Sequence, residues 1–167
     1  HAKNKVEWCL KKSERELKES GKHRGLAKVK PDKSKARDHI KKAEHYFSAT
    51  EYLNRGNFSD ISSSTVFYAM YHCLLAIATN FRYESRNQEC TFALIYSLIE
   101  ENKIDLEKEI IYKIAALNTE DISEKTIIEI REQYQYGTEL SIKDDLYQEI
   151  LELARVIITR AKIIIEK

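Results

Sequence analysis

The residues best suited to chemistry gather in the stretch Ser62-Ser63-Ser64-Thr65-Val66-Phe67-Tyr68-Ala69-Met70-Tyr71-His72. On a helix, Thr65, Tyr68 and His72 follow at steps of three and four and share a face. Tyr68 there can hydrogen-bond His72 across one turn or offer its ring to a base. The competing reading is an internal His and Tyr whose hydrogen bonds are satisfied within a core. A second set is Tyr83-Glu84-Ser85-Arg86-Asn87-Gln88-Glu89-Cys90. Arg86 supplies a planar fork of donors and Asn87 an amide beside a helix start, a combination that suits a phosphate. The competing reading is that Asn87 simply caps the next helix. Arg131, with Tyr134 and Tyr136, forms a third set.

Other chemistries lack their residues. Four scattered glycines cannot build GxGxxG or a Walker loop, and GxSxG is absent. The histidines are His1, His23, His39, His45 and His72; HExxH is absent and no two lie four apart. Glu44 and His45 are adjacent rather than at the Glu-x-x-His spacing of a di-iron bundle. Cys9, Cys73 and Cys90 are odd in number and form no CxxC pair, so the expectation is three reduced thiols in a cytoplasmic protein. No metal, no cofactor and no catalytic residue is assigned.

The elements that must position these groups read as helices. Gly and Pro total five in 167 residues, which argues against a turn-rich β sandwich or barrel. Apolar residues make up 43% and charged residues 33%, as in a highly charged helical protein. The expectation is that no stretch of about 18 uncharged apolar residues exists, which argues against an integral membrane protein, and no leader segment is visible. Charge is uneven: residues 1–45 hold 15 Lys/Arg against 7 Asp/Glu, and the remainder is acidic on balance. The basic segment 22–42 would either bind nucleic acid or an acidic partner, or fold back on its own acidic body.

Residues 4–20 read as a helix ended by Ser20-Gly21, and 21–32 as a loop. Ala36, Ile40, Ala43, Phe47, Thr50 and Leu53 mark an amphipathic helix over 33–55, stopped at Gly56-Asn57. Ser59 or Asp60 then caps a helix to about Phe81, apolar on several sides and therefore central. Residues 82–88 read as a polar loop, 89–101 as a helix, and Asp105 or a neighbour as the cap of a helix with Ile110, Ile111, Ile114 and Leu117. Further helices are expected over 123–136 and from Thr138 to Ile165. The stripe of the last is Leu146, Ile150, Leu153, Ile157, Ala161 and Ile164. Its runs 156–159 and 163–165 are β-branched, yet Glu152, Val156 and Arg160 keep helical spacing.

These residues carry a family resemblance. The segment from Ser63 to Ala76, with Tyr68-Ala69-Met70-Tyr71-His72 at its centre, resembles the "YYAMYHA-LLA" helix of the HEPN family. The helix before it, HIKKAEHYFSATEYLNRGNFSDIS, resembles that family's opening pattern. YESRNQECTFALI and the segment from Arg131 follow in the order seen in a prokaryotic subgroup. The resemblance covers about Lys33 to Lys167. It implies an up-and-down bundle, a homodimer, and membership of a toxin–antitoxin or defence module or a pairing with a small nucleotidyltransferase. Many members are metal-independent RNases using Arg-x(4–6)-His. None of the nine arginines here is followed by His at that offset, and Thr65 stands where some relatives carry Arg. Both departures point away from catalysis and toward binding.

The expectation is thus an all-α protein: an N-terminal helix and basic linker over 1–32, then a bundle over 33–167 of four to five core helices with a long last helix. Its function is to bind a nucleotide, RNA or a nucleotidyltransferase partner, with Tyr68, His72, Arg86, Asn87 and Arg131 lining the site. The alternatives are an RNase in which His72 or Tyr136 replaces the lost histidine, and a structural dimerisation module built on the last helix.

Overall fold

Between Asp60 and Arg82 the chain carries no Asp, Glu, Lys or Arg, and this stretch sets the architecture. The computed structural model describes residues 1–117 and 144–167. In chain order the elements are α1 (Ala2–Ser20), β1 (Leu26–Lys28), α2 (Lys33–Arg55), α3 (Ser59–Asn80), β2 (Tyr83–Ser85), α4 (Gln88–Glu100), α5 (Lys108–Ala116) and α6 (Asp144–Glu166). The fold is all-α with one two-stranded sheet. Helix α3 buries Val66, Phe67, Met70, Leu74 and Ile77 and packs against α2, α4, α5 and α6. By length and composition it is apolar enough to cross a membrane, which corrects the expectation that no such stretch exists; most of it is buried inside the fold.

Helices α2 and α3 form an antiparallel hairpin. Thr50 meets Thr65, Tyr46 meets Tyr68, and His39 meets His72, so the contacts climb one helix as they descend the other. The turn places Asn57 at φ 66°; Asn tolerates this left-handed region better than most side chains. Helix α6 runs antiparallel to α2. Arg37 at the start of α2 makes a two-pronged bond to Glu166 at 2.8 and 2.9 Å, Lys162 reaches Glu44, and Arg155 lies over Phe47.

Helix α1 is fixed by its own buried stripe of Val6, Cys9 and Ser13. Gly21 ends it at φ 74°, donating to the Leu17 carbonyl. Ser13 Oγ then accepts from Leu26 N–H at 3.0 Å. Gly25 passes so close that a Cβ there would sit 2.8 Å from Ser13 Oγ, leaving room only for glycine. The chain enters β1, which pairs antiparallel with β2 in the register Leu26↔Ser85, Ala27↔Glu84 and Lys28↔Tyr83.

Several expectations are corrected. Residues 21–32 and 82–88 are not plain loops: each holds a strand, and Leu26 is fully buried. The two strands are three residues long and their paired residues lie 55 to 59 positions apart, too short and too distant for a local pattern to reveal. Neither Ser59 nor Asp60 caps α3; Phe58 is the N-cap residue, without a side-chain bond, and Ser62 Oγ bonds back to the Ser59 carbonyl instead. The N-cap residue of α5 is Glu107, two positions after Asp105, and it makes no side-chain cap bond. The last helix buries Ile157, Ala161 and Ile164 of the expected stripe, while Leu146, Ile150 and Leu153 are half-buried and Tyr147, Leu151, Ala154, Ile158 and Ile165 join the buried face. Its β-branched runs are helical, as expected. Residues 118–143, with the expected helix over 123–136, lie outside the described residues.

The cysteine reading is also corrected. Cys9 and Cys90 are joined as a disulfide between α1 and α4, with Cα atoms 6.1 Å apart, and only Cys73 is free. An odd count with wide spacing hid a pair that the packing of two helices brings together. With it goes the argument from three free thiols for a cytoplasmic setting. Val6 and Cys9 of α1 belong to the same core cluster as α3. The pairing predicts that protein unfolded without reductant takes up one alkylating label, on Cys73, and three after reduction. Intact-mass measurement checks this; three labels before reduction would contradict it.

Candidate functional site

Two stripes meet along the α2–α3 seam. On α2, Lys35, His39, Lys42 and Tyr46 recur at steps of four, three and four, flanking the apolar stripe Ala36, Ile40 and Ala43 that faces the core. On α3, Tyr68 and His72 lie one turn apart. Each is held at a partly open position: Tyr68 is 41% exposed, and His39, Tyr46 and His72 are half-buried. The seam closes below them with Thr50 Oγ1 and Thr65 Oγ1 2.7 Å apart. Each hydroxyl has one proton, so one donates across the seam while the other donates to a carbonyl of its own helix, Tyr46 or Ser62.

The four rings form a continuous cluster. Tyr46 stacks on His72, with centroids 5.6 Å apart and planes 17° from parallel, and lies 5.6 Å from Tyr68. His39 and His72 rings are 5.3 Å apart, and the Lys42 ammonium lies 5.4 Å from the centre of the Tyr46 ring. Such a set offers flat π faces beside cations, the pairing by which bases and their phosphates are held.

The two imidazoles share a hydrogen bond, with Nδ1 atoms 3.1 Å apart. One Nδ1 must carry the proton and the other accept it. Burial pushes His39 down to about 4, helped by His72 and Lys35 and opposed by Asp38. Burial, with Lys42, also lowers His72. At neutral pH the couple is therefore uncharged. Because the inward nitrogens hold opposite roles, the outward Nε2 atoms do too: one is N–H, the other a bare lone pair.

A second cluster centres on Glu84 of β2. Its carboxylate accepts from buried His23 at 2.7 Å, from Lys35 at 3.3 Å, and pairs with Arg86 at 3.2 Å. Partial burial alone would raise Glu84, but the His23 and Lys35 bonds and the Arg86 charge outweigh it and hold the group below its usual range. Asn87 is the N-cap of α4, its side-chain oxygen accepting from Cys90 N–H at 2.9 Å. This is the capping role weighed against a phosphate contact.

Of the residues expected to line one site, Tyr68 and His72 come together across Tyr46. Arg86 and Asn87 stand at the β2–α4 corner, one on Glu84 and the other on the helix end. Lys35 serves both clusters, bonding Glu84 and bearing on His39. Arg131, Tyr134 and Tyr136 lie outside the described residues. His39, Lys42 and Tyr46 are not among the residues expected at the site, because the apolar stripe of α2 dominates its sequence pattern. The signal was the second stripe beside it, two aromatic rings and two lysines at helical spacing. Among the described residues, no group of three or more His, Cys, Asp or Glu converges as a ligand set for a metal. A mainly apolar groove between α5 and α6, lined by Ile110, Leu117, Leu146, Ile150, Leu153 and Val156, has no imidazole, thiol or aromatic ring among the described residues of its walls.

No family model matches the chain, and no curated protein matches it.

A histidine whose folded pKa is depressed binds fewer protons folded than unfolded, so it costs stability below its unfolded value of about 6.5. His39 is expected to titrate at about 4 by imidazole NMR. Stability should fall as pH drops from about 6.5 toward 4, less steeply in His39→Asn, checked by thermal unfolding. An ordinary His39 titration with an unchanged profile in the variant would contradict the buried couple.

Proposed function

We propose that this chain is a HEPN-like, non-catalytic binding protein that takes a nucleotide or an RNA strand on the α2–α3 seam. The observation that carries this reading is the half-open cluster of Tyr46, Tyr68, His39 and His72 beside Lys35 and Lys42. A base stacked on Tyr68 would continue the ring series outward, and the lysines would meet the phosphates. The excess of positive charge over residues 1–45, which include all of this α2 stripe except Tyr46, fits an anionic ligand. The lack of Arg-x(4–6)-His in the sequence fits binding rather than cleavage. Rings and lysines answer bases and phosphates; the seam carries nothing that answers a nucleotidyltransferase in particular.

Cleavage of RNA is the second reading, and one observation favours it. The couple holds one bare Nε2 and one Nε2–H, on the two rings' far sides from their shared bond, and these are the protonation states of a general base and a general acid.

Tyr68→Ala is expected to weaken binding of a labelled single-stranded oligoribonucleotide about tenfold, the loss of about 1.4 kcal/mol of stacking. Tyr52→Ala, at an exposed tyrosine near the α2–α3 turn, should leave it unchanged. Fluorescence anisotropy measures both. Equal affinity of Tyr68→Ala and the parent would contradict the seam as the site, and shortening of the probe during the assay would favour the cleavage reading.

A further inference from the structure

We propose that the seam is one end of a longer track for single-stranded RNA: a base stacks at Tyr68, and a phosphate several nucleotides along the same strand docks on Lys35 and Arg86 at the Glu84 corner. This rests on the reading of the α2–α3 seam as a nucleotide site and fixes the length of ligand it takes. The argument is an unbroken line of contacts. Tyr68 lies against Tyr46, and Tyr46 against His72 and the Lys42 ammonium. His72 meets His39. Lys35 stands one turn before His39 on the same stripe of α2, and its ammonium reaches Glu84 at 3.3 Å. Arg86 meets the other oxygen of that carboxylate at 3.2 Å. Tyr46 and Lys35 are eleven positions apart on α2, which is about 16 Å along the helix. At a stacked rise of about 3.4 Å per nucleotide, about five nucleotides cover that distance. A mononucleotide on Tyr68 stops short of the corner; a strand reaches it.

The corner has the charge and the donors for a phosphate. Two cations against one carboxylate leave a balance of plus one. The side chains of Lys35 and Arg86 are 48% and 53% exposed, so both reach solvent. Arg86 meets Glu84 through Nε, and Lys35 spends one of its three donors there, so each keeps donors for a second anion. Buried His23 holds Glu84 at 2.7 Å, which keeps the carboxylate in place when its cations turn to a ligand. Glu84 is therefore an internal competitor, an anionic acceptor on the same donors that a phosphate would take. The ring cluster at the other end needs unpaired bases, whose faces a single strand offers and a duplex does not.

The test is a length series of oligouridylates, from uridine 5′-monophosphate to the octanucleotide, binding the full-length protein in calorimetry. Affinity is expected to rise with length up to about five nucleotides and then level off. Arg86→Gln should weaken binding of the hexanucleotide about tenfold and lower its salt slope by about 0.7, the loss of one phosphate contact. Glu84→Gln should strengthen that binding, because it frees both cations. Lys18→Gln, at an exposed lysine of α1, should change neither affinity nor slope. Circular dichroism confirms folding, and Arg86→Gln carries the test if Glu84→Gln does not fold. If Arg86→Gln binds the hexanucleotide as the parent does while Tyr68→Ala weakens it, the inference is overturned and the seam stands as a site. Equal affinity for the monophosphate and the hexanucleotide has the same meaning. If Tyr68→Ala is without effect, or no probe binds the parent, both fall.

Discussion

The burial of α3 is the constraint from which the rest follows. Twenty-one consecutive residues, 61–81, without a formal charge must be covered on nearly every side, and α2, α4, α5 and α6 do so. Each covering helix spends its apolar stripe on that task, which leaves the flanks of the stripes as seams. Where α2 meets α3, the flanking positions are Lys35, His39, Lys42 and Tyr46 against Tyr68 and His72. A seam of alkyl side chains would have closed; rings and imidazoles half-buried there remain partly open to solvent. The candidate site is thus a by-product of covering an uncharged helix with an amphipathic one whose polar edge is aromatic.

Half-burying two imidazoles costs free energy unless their polar atoms are met. The His39–His72 bond meets one nitrogen on each ring, and the neighbouring lysines favour the uncharged form. Stacking of Tyr46 on His72 fixes the ring planes. The Glu84 cluster solves the opposite problem: one carboxylate meets Nε2 of buried His23 and two cations, and ties the α1–β1 segment to the bundle together with the Cys9–Cys90 link. Lys35 stands between the two clusters, so a ligand that drew Lys35 away from Glu84 would loosen the corner that holds β1 on β2.

What could be read from the sequence followed from local periodicity. The helices of 33–55 and about 59–81 emerge with near-correct ends because Ala36, Ile40 and Ala43 mark one face and Gly56-Asn57 breaks the chain. Helix α6 emerges despite its β-branched runs, because packing of Ile157, Ala161 and Ile164 outweighs strand propensity. What stayed hidden was long-range. The Cys9–Cys90 bond spans 81 residues, and β1 pairs with β2 across the two intervening helices α2 and α3. His39 and His72 are 33 positions apart on two helices; spacing within one helix cannot reveal a couple formed between two. Tyr68 and His72 were legible as a pair because one turn separates them, whereas Asn87 was legible as two things, and the cap is what the fold uses.

The central claim is that the ring seam between α2 and α3 is where a base lands. Ultraviolet crosslinking of the full-length protein to a uridine-rich RNA strand, followed by peptide mass spectrometry, tests it without altering any residue. Crosslinks concentrated on the peptides holding Tyr46 and Tyr68 are the predicted result. Crosslinks confined to the α1 peptide that carries exposed Trp8, or none on the seam while RNA is retained elsewhere, would contradict it.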